Sequence, residues 1–294
     1  MSFTPKGIIP AMVTPINERG EVNKVALRKL VDYLIEGGVH GLFPVGSQGE
    51  FYALEKEEKK IIIEIVLDQA KGKVPVYAGT GAITTKETIS LTKMAEDIGA
   101  DAVSIITPFF ISPSQDELYD HYLSVAGSTH LPVLLYNNPG RTGVNLSAAL
   151  VVRLSKVDNI VGIKDSSGDM TLIAEYIRKT DDDFSVLAGR DTLIYGTLLY
   201  GGKGAIAATA NVAPKLVSEI YEAYIRGDIN RAKQAQAKLA PLRSAFSLGS
   251  FPVVIKEALK LIGIDVGDAK APISPLSKDK KEILKNILKE LGVL

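Results

Sequence analysis

Lys164 is the side chain in this 294-residue sequence with the clearest capacity for covalent chemistry. It directly follows the apolar run 160–163 and precedes the polar residues 165–169. A lysine at the point where a buried strand surfaces loses part of its hydration, and burial disfavours the ammonium form. The neutral amine can then attack a carbonyl carbon and form a Schiff base. The same pattern also fits a solvated lysine at a strand end, so Lys164 alone does not decide.

Other strand ends carry groups that could act on the same substrate. Residues 46–50 read Gly-Ser-Gln-Gly-Glu, and backbone amides in such a turn can cradle a carboxylate or phosphate. Tyr136 ends another apolar run and can shuttle a proton, while Arg141 can grip a carboxylate through two parallel hydrogen bonds. Gly189 and Asp191 end a third run. A tight turn, a buried tyrosine, a turn arginine and a helix cap are the structural alternatives.

Composition excludes several kinds of chemistry. The 34 basic and 34 acidic side chains give a net charge of zero, so neither nucleic-acid binding nor electrostatic membrane association has support. The chain has no cysteine, which excludes disulfides, thiolate catalysis and cysteine-ligated metals. It shows neither a signal-peptide core nor an apolar run long enough to span a membrane, and we therefore expect a cytoplasmic protein.

The three histidines argue against a metal mechanism. His40 and His130 precede predicted strands, and His121 lies within a predicted helix. None of them is expected at the strand ends where the other polar groups gather. A zinc ion that polarises a carbonyl would lack ligands there, so we predict an amine mechanism with no metal and no organic cofactor.

These groups must be positioned by alternating strands and helices. The apolar runs are continuous in polarity, as in strands buried on both faces. They cover residues 7–15, 41–46, 74–81, 102–108, 132–139, 160–166, 184–189 and 204–211. Amphipathic segments between them include 23–37, 54–70, 84–98 and 115–126, some with cap-like starts at Thr84 and Ser114. The sequence therefore belongs to the α/β class, with parallel strands joined by crossover helices.

Eight units fit a closed (β/α)8 barrel, known as a TIM barrel, better than an open sheet. No glycine-rich dinucleotide fingerprint follows the first strand, which weakens the open-sheet alternative. We expect the barrel catalytic domain over residues 1–226. Residues 227–294 should form a three-helix C-terminal extension packed on the barrel, with helices at 228–247, 252–262 and 277–291.

The barrel interpretation separates Lys164 from other lysines near strands. Active sites of such barrels lie at the carboxyl ends of the strands, and the opposite face serves stability. Lys6, Lys73 and Lys203 precede their strands, whereas Lys164 follows its strand and should point into the mouth.

Three segments together resemble the dihydrodipicolinate synthase/N-acetylneuraminate lyase family of Schiff-base aldolases. Residues 46–50 look like its GxxGE turn, 136–139 like its YNxP segment and 162–165 like its GIK segment, and the resemblance covers essentially the whole chain. It implies Lys164 as the Schiff-base nucleophile for pyruvate or another 2-oxo acid. It further implies Tyr136 as proton donor and acceptor, with Ser47 as its hydroxyl relay partner.

The same resemblance implies the substrate-binding residues and the assembly. The residues that would contact the small-molecule substrates are Gly46, Gln48, Arg141, Gly189, Asp191 and Ile206. A homotetramer built as a dimer of dimers is also implied, with the loop around Phe109 and Phe110 near the dimer interface. Both rings could instead pack within their own subunit.

The substrate stays open between two lyase reactions and a binding role. Arg141 sits where dihydrodipicolinate synthases hold the aldehyde's carboxylate, which favours condensation of pyruvate with aspartate semialdehyde. Gln48 replaces a threonine and Phe110 replaces a relay tyrosine, which favours retro-aldol cleavage of a 2-keto-3-deoxy sugar acid or an N-acetylneuraminate-type substrate. A catalytically silent small-molecule-binding barrel is the alternative from another class.

Overall fold

The computed structural model describes residues 3–294 and is organised around one curled parallel sheet. Met1 and Ser2, which the predicted barrel domain includes, lie outside the described residues. The strands are β1 Gly7–Pro10, β2 Tyr77–Gly79, β3 Ala102–Ile106, β4 Val133–Asn137, β5 Ile160–Asp165, β6 Ser185–Ala188 and β7 Gly204–Ala207. Every neighbouring pair is parallel, in the order β1-β7-β6-β5-β4-β3-β2.

Residues 41–44 close this sheet into a barrel. The Phe43 amide donates to the Pro10 carbonyl at 3.0 Å, and the Tyr77 amide on the other side donates to the Leu42 carbonyl at 2.8 Å. This segment is the predicted strand 41–46, but it forms only isolated bridges. Pro44 has no N–H to donate, and Val45 has φ of +58°, outside the β region. The (β/α)8 prediction is confirmed, with one position filled by an irregular strand.

Helices follow the strands and cover the outside of the barrel. They are α1 Lys24–Glu36, α2 Lys56–Ala70, α3 Thr85–Asp97, α4 Gln115–Ala126, α5 Pro139–Thr142, α6 Ala148–Leu154, α7 Met170–Lys179, α8 Ile194–Leu199, α9 Pro214–Ile225, α10 Ile229–Ser244, α11 Val253–Leu261 and α12 Lys278–Leu291. Single 3₁₀ turns lie at Phe51–Ala53, Asp191–Leu193, Thr209–Asn211 and Ala245–Leu248. The predicted caps form: Thr84 accepts from the Glu87 amide, and Ser114 and Glu117 make a capping box.

The predicted three-helix extension is present as α10, α11 and α12. Helix α10 packs along α9, the last helix of the barrel, and α12 packs against both α10 and α11. One apolar cluster contains Leu239 and Leu259 of the extension together with Ile163 and Val217 of the barrel. The division of the chain at residue 226 remains our proposal, because the two parts share this core. Within residues 3–294, no helix combines the length and apolar character that a membrane crossing needs.

The interior of the barrel holds a smaller apolar layer. It is formed by Ile9, Ala11, Phe43, Tyr77, Ala102, Leu134, Leu187 and Ile206, one or two from each contributing strand. Strand β5 contributes no side chain to this layer because Gly162 lies there, where a Cβ would stand 2.4 Å from the Ser185 carbonyl oxygen. The floor of the barrel mouth is therefore apolar and closely packed.

Candidate active site

Strand alternation points both Lys164 and Tyr136 into the barrel mouth. Side chains two residues apart share a face of a strand, so Lys164 lies above Gly162 and Tyr136 above Leu134. Lys164 and Tyr136 are also register partners in the β4–β5 pairing. The Lys164 Nζ lies 3.9 Å from the Tyr136 ring centroid and 5.1 Å from that of Phe43. Both Lys164 and Tyr136 are buried, as the active-face prediction requires.

The Tyr136 hydroxyl has two further polar neighbours. The Ser47 Oγ lies 3.3 Å from the Tyr136 Oη, and the Asn138 Nδ2 donates to it at 2.9 Å. Burial raises the pKa of Tyr136, but the positive charge of Lys164 and the hydrogen bonds with Ser47 and Asn138 outweigh burial and hold the pKa below its ordinary value. This tuning brings the phenol closer to the range in which it can exchange a proton.

The turn 46–50 places its backbone beside these groups. The Gly49 amide donates to the Gly46 carbonyl at 3.0 Å, and the Glu50 amide to the Ser47 carbonyl at 3.1 Å. Gly46 does not line the main cavity, although it was predicted to bind substrate. A Cβ on Gly46 would lie 2.6 Å from the Phe43 ring, so this glycine lets the turn lie close over the apolar floor.

The other predicted site residues meet at one cavity of about 420 Å³. Its lining includes Ser47, Gln48, Tyr136, Arg141, Lys164, Gly189, Asp191 and Ile206. Asp191 is buried and accepts a hydrogen bond from the Thr209 amide at 2.7 Å. Gln48 is 2% exposed, and neither atom of its amide has a hydrogen-bond partner within residues 3–294. An unpartnered buried amide is costly, so the Gln48 amide is available to a polar group that enters the cavity.

One wall of the cavity comes from the C-terminal extension, which the sequence did not indicate. The residues that it adds include Arg243, Phe246, Phe251, Val254 and Ile255. The Arg141 guanidinium stacks 4.9 Å from the Phe251 ring centroid, and that of Arg243 lies 4.5 Å from Phe246. Amphipathic periodicity predicts that these helices pack on the barrel, but not which of their residues reach its mouth.

A buried ion pair joins the extension to the turn. The Lys256 Nζ lies 2.5 Å from the Glu50 Oε1, and each side chain is 1% exposed. The other Glu50 oxygen accepts from the Lys270 amide at 2.7 Å, and Lys256 also donates to the Asp268 carbonyl at 2.8 Å. Burial lowers the pKa of Lys256, and Glu50 opposes that effect. Glu50 has φ of +58°, so the pair holds a left-handed residue at the end of the turn.

The parallel barrel holds a buried lysine against a tyrosine whose pKa is lowered, with the turn 46–50 beside them. This arrangement defines a Schiff-base lyase, an enzyme that makes or breaks a carbon–carbon bond in a 2-oxo acid bound to the lysine. The model of the dihydrodipicolinate synthetase family matches residues 4–291. The chain belongs to this family.

Curated relatives and solved structures agree with this membership. The chain is 40% identical over 297 residues to the 4-hydroxy-tetrahydrodipicolinate synthase of Methanopyrus kandleri, covering 100% of this chain and 99% of that protein. It is 41% identical to that of Archaeoglobus fulgidus, with 98% and 99% covered. A prophage protein of the dihydrodipicolinic acid synthase family from E. coli K12, solved with pyruvate, superimposes with a TM-score of 0.95 at 37% identity, covering 98% and 99% of the chains. A monomeric dihydrodipicolinate synthase variant gives 0.96 at 35% identity, covering 98% and 97%.

The Lys256–Glu50 pair generates a stability prediction. Replacement of Lys256 by Met leaves the Glu50 carboxylate buried without its partner, and we expect the free energy of unfolding to fall by about 3–5 kcal/mol. The double variant Glu50→Gln/Lys256→Met removes both charges and should recover much of the loss. Urea unfolding of the purified variants measures both effects.

Lys260 provides the matched control. It lies on the same helix and pairs with Asp268 at the surface, where an ion pair contributes about 1 kcal/mol or less. Lys260→Met should therefore cost little. Equal losses for Lys256→Met and Lys260→Met would show that the buried pair does not hold the turn.

Proposed function

We propose that the protein condenses pyruvate with aspartate semialdehyde, as a 4-hydroxy-tetrahydrodipicolinate synthase. The observation that carries the proposal is the buried Lys164 amine against the Tyr136 ring, in a cavity whose other walls carry arginines. The curated relatives described above carry the same activity in their names.

Lys164 supplies the nucleophile in the first half of the reaction. The Lys164 ammonium first gives up a proton to the deprotonated Tyr136; the neutral Nζ then attacks the C2 carbonyl of pyruvate, a proton is transferred to the carbonyl oxygen, and water leaves as the imine forms. Tyr136 is placed to donate and accept these protons, with Ser47 as its hydroxyl partner. Ser47 and Gln48 of the turn line the cavity, so their backbone amides and the Gln48 side chain are the groups that would hold the pyruvate carboxylate.

The protonated imine then acts as an electron sink in the second half. Loss of a proton from the pyruvate methyl carbon gives an enamine, and that carbon attacks the aldehyde carbonyl carbon. The new alkoxide takes a proton, and water hydrolyses the imine to free Lys164. Every step uses groups of this chain and water.

The charges around the cavity favour an aldehyde that carries a carboxylate. Arg141, Arg190 and Arg243 line the cavity together with Lys164, whereas Asp191 is the acidic side chain in its lining. Arginine ion pairs within residues 3–294 involve other arginines, so these three guanidiniums are available to a substrate. Pyruvate and aspartate semialdehyde bring one carboxylate each, which matches a cavity of positive charge.

Gln48 supports a second candidate, the cleavage of a 2-keto-3-deoxy sugar acid. Its buried amide has both a free donor and a free acceptor, and hydroxyl groups satisfy both. The buried Asp191 carboxylate in the same lining could also hold a hydroxyl. The two candidates share the Lys164 imine and differ in the compound that meets the enamine.

We further propose a homotetramer built as a dimer of dimers, with Phe110 near the dimer interface. Phe110 is 93% exposed and has φ of +73°, a strained conformation for a bulky residue. Ile111 and Tyr52 are also exposed. Phe109 instead packs on Phe51 of its own subunit, with ring centroids 5.6 Å apart. An exposed phenyl ring of this kind is more readily explained by a second copy of the chain than by water.

Borohydride trapping with pyruvate tests the Schiff base. Reduction of the imine should leave a stable pyruvate-derived adduct on the peptide that contains Lys164, identified by mass spectrometry. Lys164→Arg should abolish the adduct, since its guanidinium stays protonated. A wild-type protein without any adduct would favour the silent binding barrel. An adduct on a different lysine would contradict only the assignment of Lys164.

Turnover measurements separate the two candidate substrates. We expect condensation with aspartate semialdehyde to exceed cleavage of 2-keto-3-deoxygluconate and of N-acetylneuraminate. Arg141→Leu should raise the KM for the aldehyde by about 10- to 100-fold, because a charge-assisted hydrogen bond is lost. Arg153→Leu, at an exposed arginine paired with Asp116, should leave the KM unchanged. Faster cleavage of a sugar acid would select the second candidate.

Sedimentation tests the proposed assembly. The 31.5 kDa chain should sediment as a tetramer, and Phe110→Asp should lower the oligomeric state because a charge would be buried at the interface. Phe110→Leu keeps an apolar side chain and serves as the control. A wild-type monomer, or an Asp variant that sediments as the wild type, would contradict the role of Phe110.

A further inference from the structure

Asn138 is a polar neighbour of the Tyr136 hydroxyl that no predicted role includes. It occupies the variable third position of the segment 136–139, and its Nδ2 lies 2.9 Å from the Tyr136 Oη. It also lines the cavity. A side chain this close to the Tyr136 oxygen affects the direction in which the hydroxyl hydrogen of Tyr136 points.

The backbone fixes the position of the Asn138 amide. The backbone carbonyl of Asn138 accepts hydrogen bonds from the Arg141 amide at 2.9 Å and the Thr142 amide at 3.0 Å, so Asn138 directly precedes the short helix α5 as its N-cap residue. Pro139 follows directly and disfavours a helical conformation of Asn138, whose backbone has φ of −146° and ψ of 67°. The side chain is therefore held toward Tyr136 by the same turn that carries Arg141.

Hydrogen-bond chemistry gives this contact a direction. An amide nitrogen can only donate, so Asn138 occupies a lone pair of the Tyr136 oxygen. The hydroxyl hydrogen of the neutral Tyr136 must then point away from Asn138, and the Ser47 Oγ at 3.3 Å is the other hydrogen-bond partner of this hydroxyl and can accept its hydrogen. The three side chains form an ordered chain in which the proton lies between Tyr136 and Ser47.

We infer that Asn138 is a positioning residue for proton transfer: its amide directs the Tyr136 proton to Ser47 and stabilises the phenolate once that proton has left. The inference rests on the proposed function, because it assigns how the tyrosine of that reaction is tuned. Asn138 contacts the hydroxyl of Tyr136, and this role requires no direct contact between Asn138 and the substrate.

The expected pH effect has a definite sign. A donor stabilises the charged phenolate, so loss of Asn138 should raise the pKa of Tyr136. The other charged groups near Tyr136 are Lys164 on β5 and, around the cavity, Arg141, Arg190, Asp191 and Arg243. They stay in place in an Asn138 variant. A rate that requires the phenolate rises with pH through this pKa, so its rising limb should move to higher pH.

Ultraviolet titration of Tyr136 tests the inference directly. Because the chain has 11 tyrosines, the titration of the wild type and of each Asn138 variant is compared with that of the same protein carrying Tyr136→Phe. Asn138→Val should move the Tyr136 titration about one unit toward higher pH, and kcat/KM near neutral pH should fall about tenfold. Asn138→Asp keeps the shape of the side chain and replaces the donor by a carboxylate, so it should shift the titration further in the same direction.

Asn159→Val is the matched control at the opposite end of the barrel. The Asn159 amide donates to the carbonyls of Ala126, Thr129 and Leu131, so its loss should lower stability and leave the Tyr136 titration unchanged. An unchanged titration in both Asn138 variants, or a shift toward lower pH, would overturn the inference. Failure to trap pyruvate in the wild type would instead overturn the proposed function, since the titration needs no substrate.

Discussion

The pairing of β4 with β5 in parallel register is the constraint on which the site depends. It sets Tyr136 and Lys164 side by side at the same height of the barrel, and the inward face of each strand leaves the two side chains no other direction. The amine lies against aromatic rings over an apolar floor. That environment is poor in water, so the charge of either group is felt strongly by the other. The turn, the arginines and the extension are arranged around this pair.

Much of this arrangement could be predicted from the sequence because it follows from where strands end. A parallel barrel gathers the carboxyl ends of its strands, so residues that follow apolar runs, such as Lys164, Tyr136 and Ser47, must meet. Capping residues and continuous apolar runs predicted the order of the elements, and their bounds to within a few positions. The prediction was weakest at residues 41–46, where Pro44 and Val45 interrupt the ladder in a way that a count of apolar residues does not show.

The remaining features depend on contacts between distant parts of the chain, which periodicity cannot supply. Helix α11 could have packed on the barrel in several orientations, and only the folded structure shows that Val254 and Ile255 line the cavity while Lys256 turns to Glu50. Arg243 lies in the amphipathic segment 228–247, whose periodicity does not show that this residue reaches the cavity. Asn138 is the second of two asparagines before Pro139, and only the folded structure shows that its side-chain amide contacts the Tyr136 hydroxyl. Gly46 lies outside the lining of the main cavity and lets the turn approach Phe43, and its contact with substrate stays a prediction.

The ion pair between Glu50 and Lys256 can form only late in the synthesis of the chain. Glu50 belongs to the second βα unit, whereas its partners Lys256 and Lys270 follow the complete barrel, and Lys270 comes 220 positions after Glu50 in the sequence. Domains form as the ribosome delivers them, amino end first, and contacts between distant residues come late. During synthesis Lys164 and Tyr136 therefore leave the ribosome before Lys256 and Lys270, the residues that anchor the turn beside them. A chain that ended before residue 256 would lack this anchor for the turn 46–50.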